Sequence, residues 1–475
     1  MHPSTFRKKL NPILFAPLVY VVLSCLVFCL LQNTTVYNAT INKIGFTYER
    51  INNPDGSRKE VKKINHVPFQ QITNKKLSHW DASIYYNLSK NLYPKTQPNL
   101  HAFFPLFPLL WKIFHIPLGG IIYFNLLLFL LGYFFFFLCI RNQFELGRAH
   151  ISFSYMLVLG LPSMAVFAIP YAEATSFFMF AMALFFMIRK QIWPSLIFFI
   201  LLAWCRPNTL MIILAALSAL AFYLYKVKKI SAIQPILFTA IAGLSIGLVL
   251  LFTYFYFTSG NFLIFFEAQK NWGTQLQIPK LPFTDHTSEV FLIDRILLFV
   301  ITPIAILKLI SMLFLKTPNP GIWLYIRFFA LSYFILTCLT VLFFQGGSLH
   351  SLHRYTLASP LGIIFIIDLC TSASKKNIWQ KGLIYSGVVV FCAIVIQVLD
   401  RQFIGGLINN HEDQRFTNLG ALLLVSILSL IFWFPYKHSK INTIYYIFAA
   451  ITLFIAMVWD SVLFNQFLSQ GWLWA

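Results

Sequence analysis

Thirteen apolar runs dominate this chain, near residues 13–31, 121–140, 151–168, 172–188, 192–205, 207–225, 236–258, 291–314, 326–345, 356–371, 383–398, 418–434 and 443–459. A helix needs about 20 apolar residues to cross a bilayer core, and fewer when it is buried within a bundle. Backbone polar groups in lipid must be satisfied internally, which at these lengths means helices. A water-soluble fold is excluded by supply: 11% of the 475 residues are charged, against about 25% in an ordinary soluble domain. The expected fold is an all-α polytopic membrane protein of about 13 transmembrane helices, a single domain over residues 1–475.

The net charge of +21 does not indicate nucleic acid, because the basic residues punctuate the apolar runs instead of forming one patch. They act as topology signals among membrane lipids. With Arg7, Lys8 and Lys9 in the cytoplasm, every second connection is basic: Arg141/Arg148, Arg189/Lys190, Lys226/Lys228/Lys229, Lys316/Arg327, Lys375/Lys376/Lys381 and Lys437/Lys440. The first run has the basic flank of a signal peptide but no small-x-small site after it, so it is read as an anchor. Residues 192–225 test the parity most sharply. One long helix would separate Arg189 from Lys226, whereas two short helices broken at Arg206-Pro207-Asn208 keep both inside and place Arg206 near the outer face. Of fifteen acidic residues only Glu145 and Asp368 then fall on the inner side. Chemistry is expected outside, and the short inner connections offer no nucleotide-binding fold.

All seven cysteines lie in or beside apolar runs, without disulfide or metal-ligand spacing. No metal and no cofactor are expected.

The large connection 32–120 forms the first extracytoplasmic loop. Gln32 to Lys76 should make small strands and turns, with a turn at Asn53-Pro54-Asp55-Gly56. Ser78 is the expected N-cap of an amphipathic helix in which Trp80, Ile84, Leu88 and Leu92 face the membrane, with Asp81 and Tyr85 on a neighbouring stripe. In Ala102-Phe103-Phe104-Pro105-Leu106-Phe107-Pro108-Leu109 two prolines three apart should break any first helical turn, giving a re-entrant or interfacial segment. Asp81 has two local readings, a helix-capping carboxylate and a general base.

Other polar residues gather at outer helix ends. Glu173 is either a first-turn acid or a site residue. Arg206 near the apolar layer should face a cavity or a partner. Residues 346–355 are rich in donors, and His350, His353, Arg354 and Tyr355 could grip a phosphate or form an interfacial belt. Asp294/Arg295 and Asp400/Arg401 read as local ion pairs.

Four segments together resemble one family. His79-Trp80-Asp81 with Ala102-Phe103-Phe104-Pro105-Leu106-Phe107-Pro108 is similar to the first-loop signature of the PIG-V, or second GPI, mannosyltransferases and their bacterial relatives, within the GT-C superfamily of polytopic glycosyltransferases. Tyr171-Ala172-Glu173-Ala174 resembles that family's Tyr-Ser-Glu-Ala segment. Ala203-Trp204-Cys205-Arg206-Pro207-Asn208 resembles its Thr-Arg-Pro-Asn helix break, and Arg354-Tyr355 with Pro360 a late element of bacterial members. These segments span residues 79–360. Tyr85 and Asn87 depart from the eukaryotic pattern, so a GPI intermediate is not implied as acceptor.

The resemblance implies a GT-C-like bundle that transfers a hexose, mannose by family, from a polyprenyl-phosphate donor. The acceptor would be a lipid-linked or envelope glycan, and the anomeric centre would invert with Asp81 as base. The implied substrate-binding set is His79, Trp80, Tyr85, Glu173, Arg206, Asn208, His353, Arg354 and Tyr355. Residue bias and the late motif favour a bacterial inner membrane with the site on the periplasmic face, the alternative being the endoplasmic reticulum. Two other classes compete: a transporter or lipid-linked glycan flippase, because many spans with a buried arginine also describe a substrate pathway, and a noncatalytic binding subunit.

Overall fold

The computed structural model describes residues 3–33, 35–36, 47–52, 58–63, 70–94, 97–141, 157–227, 234–279, 292–314, 321–347, 349, 351–374, 387, 415–432 and 443–469. Helix α1 (Pro3–Leu31) is followed by the antiparallel hairpin β1 (Thr47–Asn52) and β2 (Arg58–Lys63), paired Thr47 to Lys63 and Asn52 to Arg58. The first loop continues through α2 (Asn74–Leu77), α3 (Trp80–Asn91) and α4 (Leu106–Ile113). Then come α5 (Ile121–Ile140), α6 (Glu173–Ile188), α7 (Ile192–Ala203), α8 (Thr209–Val227), α9 (Gln234–Ser259) and α10 (Ile264–Asn271). Helix α11 (Leu292–Ile296) passes through a π-helical turn (Leu297–Ile301) into α12 (Thr302–Phe314). The order ends with α13 (Ile322–Phe344), α14 (Leu352–Thr356), α15 (Pro360–Ser374), α16 (Arg415–Phe432) and α17 (Thr443–Leu468).

This is a helical polytopic membrane protein. Among the described residues six helices are long and apolar enough to cross a membrane: Leu118–Ile140, Thr209–Val227, Pro235–Ser259, Ile293–Phe314, Ile322–Phe344 and Tyr445–Leu468. Five shorter apolar helices accompany them: Phe15–Leu31, Glu173–Ile188, Ile192–Ala203, Pro360–Cys370 and Leu419–Phe432. The thirteen expected spans are therefore not all found as such. The run 383–398 lies, apart from Gly387, outside the described residues. In the run 151–168, of which residues from 157 are described, helix stops at Leu159 and a turn over 160–163 leads into a 3-10 helix, Met164–Ala168. Pro162 explains the stop, since it has no N–H to donate and pushes Leu161 away from helical geometry. The broken segment is packed inside the protein, with Trp459 Nε1 donating to the Pro162 carbonyl at 3.0 Å.

Arg189 and Lys226 belong to the same end of the bundle, as two short helices require. Helices α6 and α7 form an antiparallel pair, with Ser195 Oγ donating to the Ala183 carbonyl at 3.2 Å. Helix α9 runs parallel to α7 at very short range, because Gly243 and Gly247 leave no side chain between them. A Cβ at Gly243 would come within 2.6 Å of Phe199 Cβ, and one at Gly247 within 2.6 Å of Ala203 Cβ. Ser195 also lies 3.2 Å from Thr239 near the start of α9. The chain leaves α8 just after Lys226 and starts α9 at Gln234, so Lys226 shares the Arg189 end. The break at Arg206 consequently falls at the opposite end.

Three local expectations in the first loop are corrected. Ser78 is the C-cap of α2, and the N-cap of α3 is His79, whose side chain makes no capping hydrogen bond. The prolines at 105 and 108 start α4 instead of breaking it, with Pro105 as N-cap and Pro108 within the first turn. Proline is harmless there, since first-turn N–H groups have no acceptor inside the helix. The amphipathic face of α3 also differs: Ala82, Tyr85, Leu88 and Ser89 are buried inward, whereas Trp80 is exposed.

Candidate active site

The first loop is fastened over the break between α7 and α8. The Leu106 N–H at the start of α4 donates to the Trp204 carbonyl at 3.0 Å, using one of the carbonyls that the end of α7 leaves without a partner. Tyr85 on α3 packs edge-on against Phe103 and Phe107, at 5.4 and 5.2 Å between ring centroids. On the other side the Gln70 N–H donates to Asn465 Oδ1 on α17 at 2.7 Å. Phe467, one helical position pair further on, meets the rings of His79 and Tyr171. The inward face of α3 is thereby aimed at the start of α6.

Four charged residues converge there, from four separate segments. Glu173, the first residue of α6, is 1% exposed and accepts at Oε1 from two guanidinium groups, Arg206 Nη2 at 2.9 Å and Arg354 Nε. Burying a carboxylate is costly unless it is paired and hydrogen-bonded, and two guanidinium partners supply both. Arg354 Nη2 also faces Asp81 Oδ2 at 3.7 Å, longer than a hydrogen bond and within ion-pair range. The Asp81 side chain remains 28% exposed. Formal charge in the cluster balances at two positive and two negative groups.

Aromatic rings support both cations. The Arg206 guanidinium lies 5.2 Å from the Tyr355 ring centroid and that of Arg354 lies 4.8 Å from Tyr171. Burial opposes the Arg354 charge, but Glu173 first and then Tyr355, Asp81 and Tyr171 hold its pKa above the ordinary arginine value. Burial, then Glu173 and Asp81, raise the Tyr85 hydroxyl far above its usual range. Tyr85 is thus a neutral phenol in the field of all four charges.

Of the expected site residues, Asp81, Tyr85, Glu173, Arg206, Arg354 and Tyr355 are brought together. His79 adjoins them as the N-cap of α3, with Nε2 buried and without a hydrogen-bond partner; burial and then Lys75 lower its pKa. Trp80 is exposed at the rim with a left-handed φ of 50°. Asn208 enters α8, its carbonyl accepting the N–H groups of Met211 and Ile212. His353 is buried, and its Nδ1 lies 2.8 Å from Asp294 Oδ1. Asp294, read from sequence in a local pair with Arg295, therefore carries a long-range interaction. Asp400/Arg401 and His350 lie outside the described residues.

Sequence reasoning passed over Tyr171 and Asn125. Tyr171 stood inside a motif noticed for its glutamate. Asn125 is a lone amide in the apolar α5, and its Nδ2 donates to the carbonyls of Ile169 and Tyr171 at 2.5 and 3.1 Å, holding the turn that presents Glu173. A fully buried amide in a transmembrane run was the available signal. No group of three or more potential metal ligands occurs among the described residues.

No protein-family model and no curated protein sequence matches the chain. Among solved structures, the chain is similar to the crystal structure of ArnT from Cupriavidus metallidurans bound to undecaprenyl phosphate, at 13% identity and a TM-score of 0.47, over 95% of this chain and 77% of that one.

Proposed function

We propose that the protein is an integral-membrane glycosyltransferase of GT-C type that moves a hexose, mannose in the specific form, from a polyprenyl-phosphate donor to a lipid-linked or envelope glycan. One observation carries this: a partly open carboxylate, Asp81, faces Arg354, which Glu173 ties to a second guanidinium, Arg206. Such a site can take a proton and hold a departing anion at adjacent points. Its agreement with four family-like segments adds the donor class and the sugar.

In the proposed reaction the acceptor hydroxyl oxygen bonds to the anomeric carbon as the bond from that carbon to the phosphate oxygen breaks, inverting the centre. Asp81 takes the hydroxyl proton. The lipid phosphate leaves with the bonding electron pair. Each guanidinium has five N–H donors, so Arg206 and Arg354 can bind Glu173 and still stabilise the leaving phosphate. Glu173 orients the two cations. Tyr85 can donate to a substrate oxygen. The proposed setting is a bacterial inner membrane with the cluster on the periplasmic side.

The test is mass spectrometry of polyprenyl-linked and envelope glycans in a deletion strain. We expect a glycan shortened by a hexose, restored by the wild-type gene but not by Asp81→Asn. Accumulation of a full-length lipid-linked glycan would favour the transporter or flippase reading, and restoration by Asp81→Asn would remove the base.

A further inference from the structure

We propose that Asp294 is a positioning residue for Arg354, setting its guanidinium through His353; this rests on the proposed glycosyl transfer for its kinetic consequence. Arg354 stands in α14, a helix of five residues, too short to be stable alone. The helix opens at Ser351, whose φ of 62° is a left-handed conformation that surrounding structure must enforce.

Asp294 supplies that enforcement. Its Oδ1 accepts the His353 backbone N–H at 2.6 Å and lies 2.8 Å from His353 Nδ1, with both residues almost fully buried. The backbone N–H and the ring Nδ1 of His353 therefore meet the same carboxylate oxygen, which sets the ring orientation. Ser163 Oγ donates to the His353 carbonyl at 3.1 Å from the opposite side. His353 is thereby held by its N–H, its carbonyl and its ring, and the next residue is Arg354.

Both arms of this clamp lean on the last hundred residues, for which the sequence suggested no role. Beside Asp294, Ile293 packs so closely on Gly420 of α16 that a Cβ at Gly420 would come within 2.7 Å of Ile293 Cδ1 and of the Trp459 ring. Beside Ser163, the Pro162 carbonyl accepts from Trp459 Nε1. The π-helical turn starting three residues after Asp294 inserts an extra residue into the hydrogen-bond ladder, a device that rotates a helix face and recurs at functional sites.

The experiment uses the full-length protein in nanodiscs, with Asp294→Asn, Ser163→Ala, Arg354→Lys and the double variants. Misplacing Arg354 should lower kcat about ten- to a hundredfold for Asp294→Asn with little change in donor KM. The loss should vanish in the Arg354→Lys background, since residues acting through one group are not additive. Ser163→Ala should show a smaller loss with the same non-additivity, and covers the case in which Asp294→Asn does not fold. Phenylglyoxal labelling, read by peptide mass spectrometry, needs no turnover. Arg354 should be labelled several-fold faster in Asp294→Asn, with Arg189 unchanged as control. Unchanged Arg354 labelling, or losses that add to that of Arg354→Lys, would overturn the proposal. Absence of transfer by the wild type together with faster Arg354 labelling would leave the positioning role standing and the proposed reaction refuted.

Discussion

Two charge clusters sit at opposite ends of the helix bundle, and they are built differently. At the Lys226 end, Asp368 of α15 has both oxygens engaged: Oδ2 by Lys308 Nζ at 2.8 Å and Oδ1 by Arg327 Nε at 3.1 Å. Lys308 also donates to the Asp368 backbone carbonyl at 2.8 Å. At the other end, Glu173 takes both arginines on one oxygen, and a second carboxylate, Asp81, lies 3.7 Å from Arg354 with its side chain 28% exposed, against 5% for Asp368. Helix α8 alone separates the ends by roughly 30 Å, from a rise of 1.5 Å per residue. Buried and ion-paired to Lys308 and Arg327, Asp368 staples α12, α13 and α15. The Asp81 cluster keeps a carboxylate within reach of a substrate. The proposed chemistry depends on that difference, since both clusters place a carboxylate between two cations.

The comparison breaks most visibly at Arg354. Arg354→Ala removes the cation shared by Glu173 and Asp81, and the expected outcome is a fall in turnover of about 10²–10³, as for loss of a transition-state hydrogen-bond donor. Turnover per folded molecule is the quantity to measure, and an unchanged value would reduce the cluster to a second staple.

The opposite outcome is expected at Asp368. Asp368→Ala leaves two cations facing one another and should cost about 3–5 kcal/mol of stability, nearer the lower figure because the Arg327 side chain is 41% exposed. Transfer per folded molecule should not change. Unfolding in detergent checks the first point, and a loss of activity without a loss of stability would contradict the division of roles.

A gentler change sharpens what Arg206 does. Arg206→Lys keeps the charge but loses the fork that serves Glu173 and a phosphate together, so the donor KM should rise about tenfold, the scale of a charge-assisted hydrogen bond. Steady-state kinetics over donor concentration would reveal it, and an unaltered KM would make Arg206 a packing residue.

The smallest effect concerns His79. Burial and Lys75 lower its pKa in the folded protein, so below about pH 6.5, the ordinary histidine value, the unfolded chain binds the proton first. Stability carried by the neutral ring is then lost as pH falls. His79→Gln should flatten the fall in thermal midpoint between pH 7.5 and pH 5.5, and an identical slope would show that His79 does not sense its surroundings.

Much of this arrangement could be read from residue order, and what could not has a physical cause. Alternating basic connections correctly put Arg189 and Lys226 at one end, because charge placement is decided segment by segment. The small strands expected between Gln32 and Lys76 are present as the β1–β2 pair, whereas the turn expected at 53–56 lies outside the described residues. Pro162 was masked by the apolar residues around it, so the run 151–168 looked continuous. The prolines of α4 were misjudged because their cost depends on where the helix starts. Asp81, Glu173, Arg206 and Arg354 were each noticed as polar residues at outer helix ends. Only the family resemblance joined them into one site, since nothing local links Glu173 to Arg354, 181 positions away. Asp294 was matched to its neighbour Arg295 for want of any signal pointing to His353, 59 positions on.

The most direct measurement sets the two carboxylates side by side: Asp81→Asn and Asp368→Asn in the same nanodiscs, each scored for thermal midpoint and for turnover per folded molecule. Asp81→Asn should keep the midpoint and lose about 10²–10⁴ in turnover, the size of a general-base contribution. Asp368→Asn should lose midpoint and keep turnover. Asp81→Asn turnover close to that of the wild type would contradict the assignment of Asp81 as the base and with it the functional distinction between the two ends.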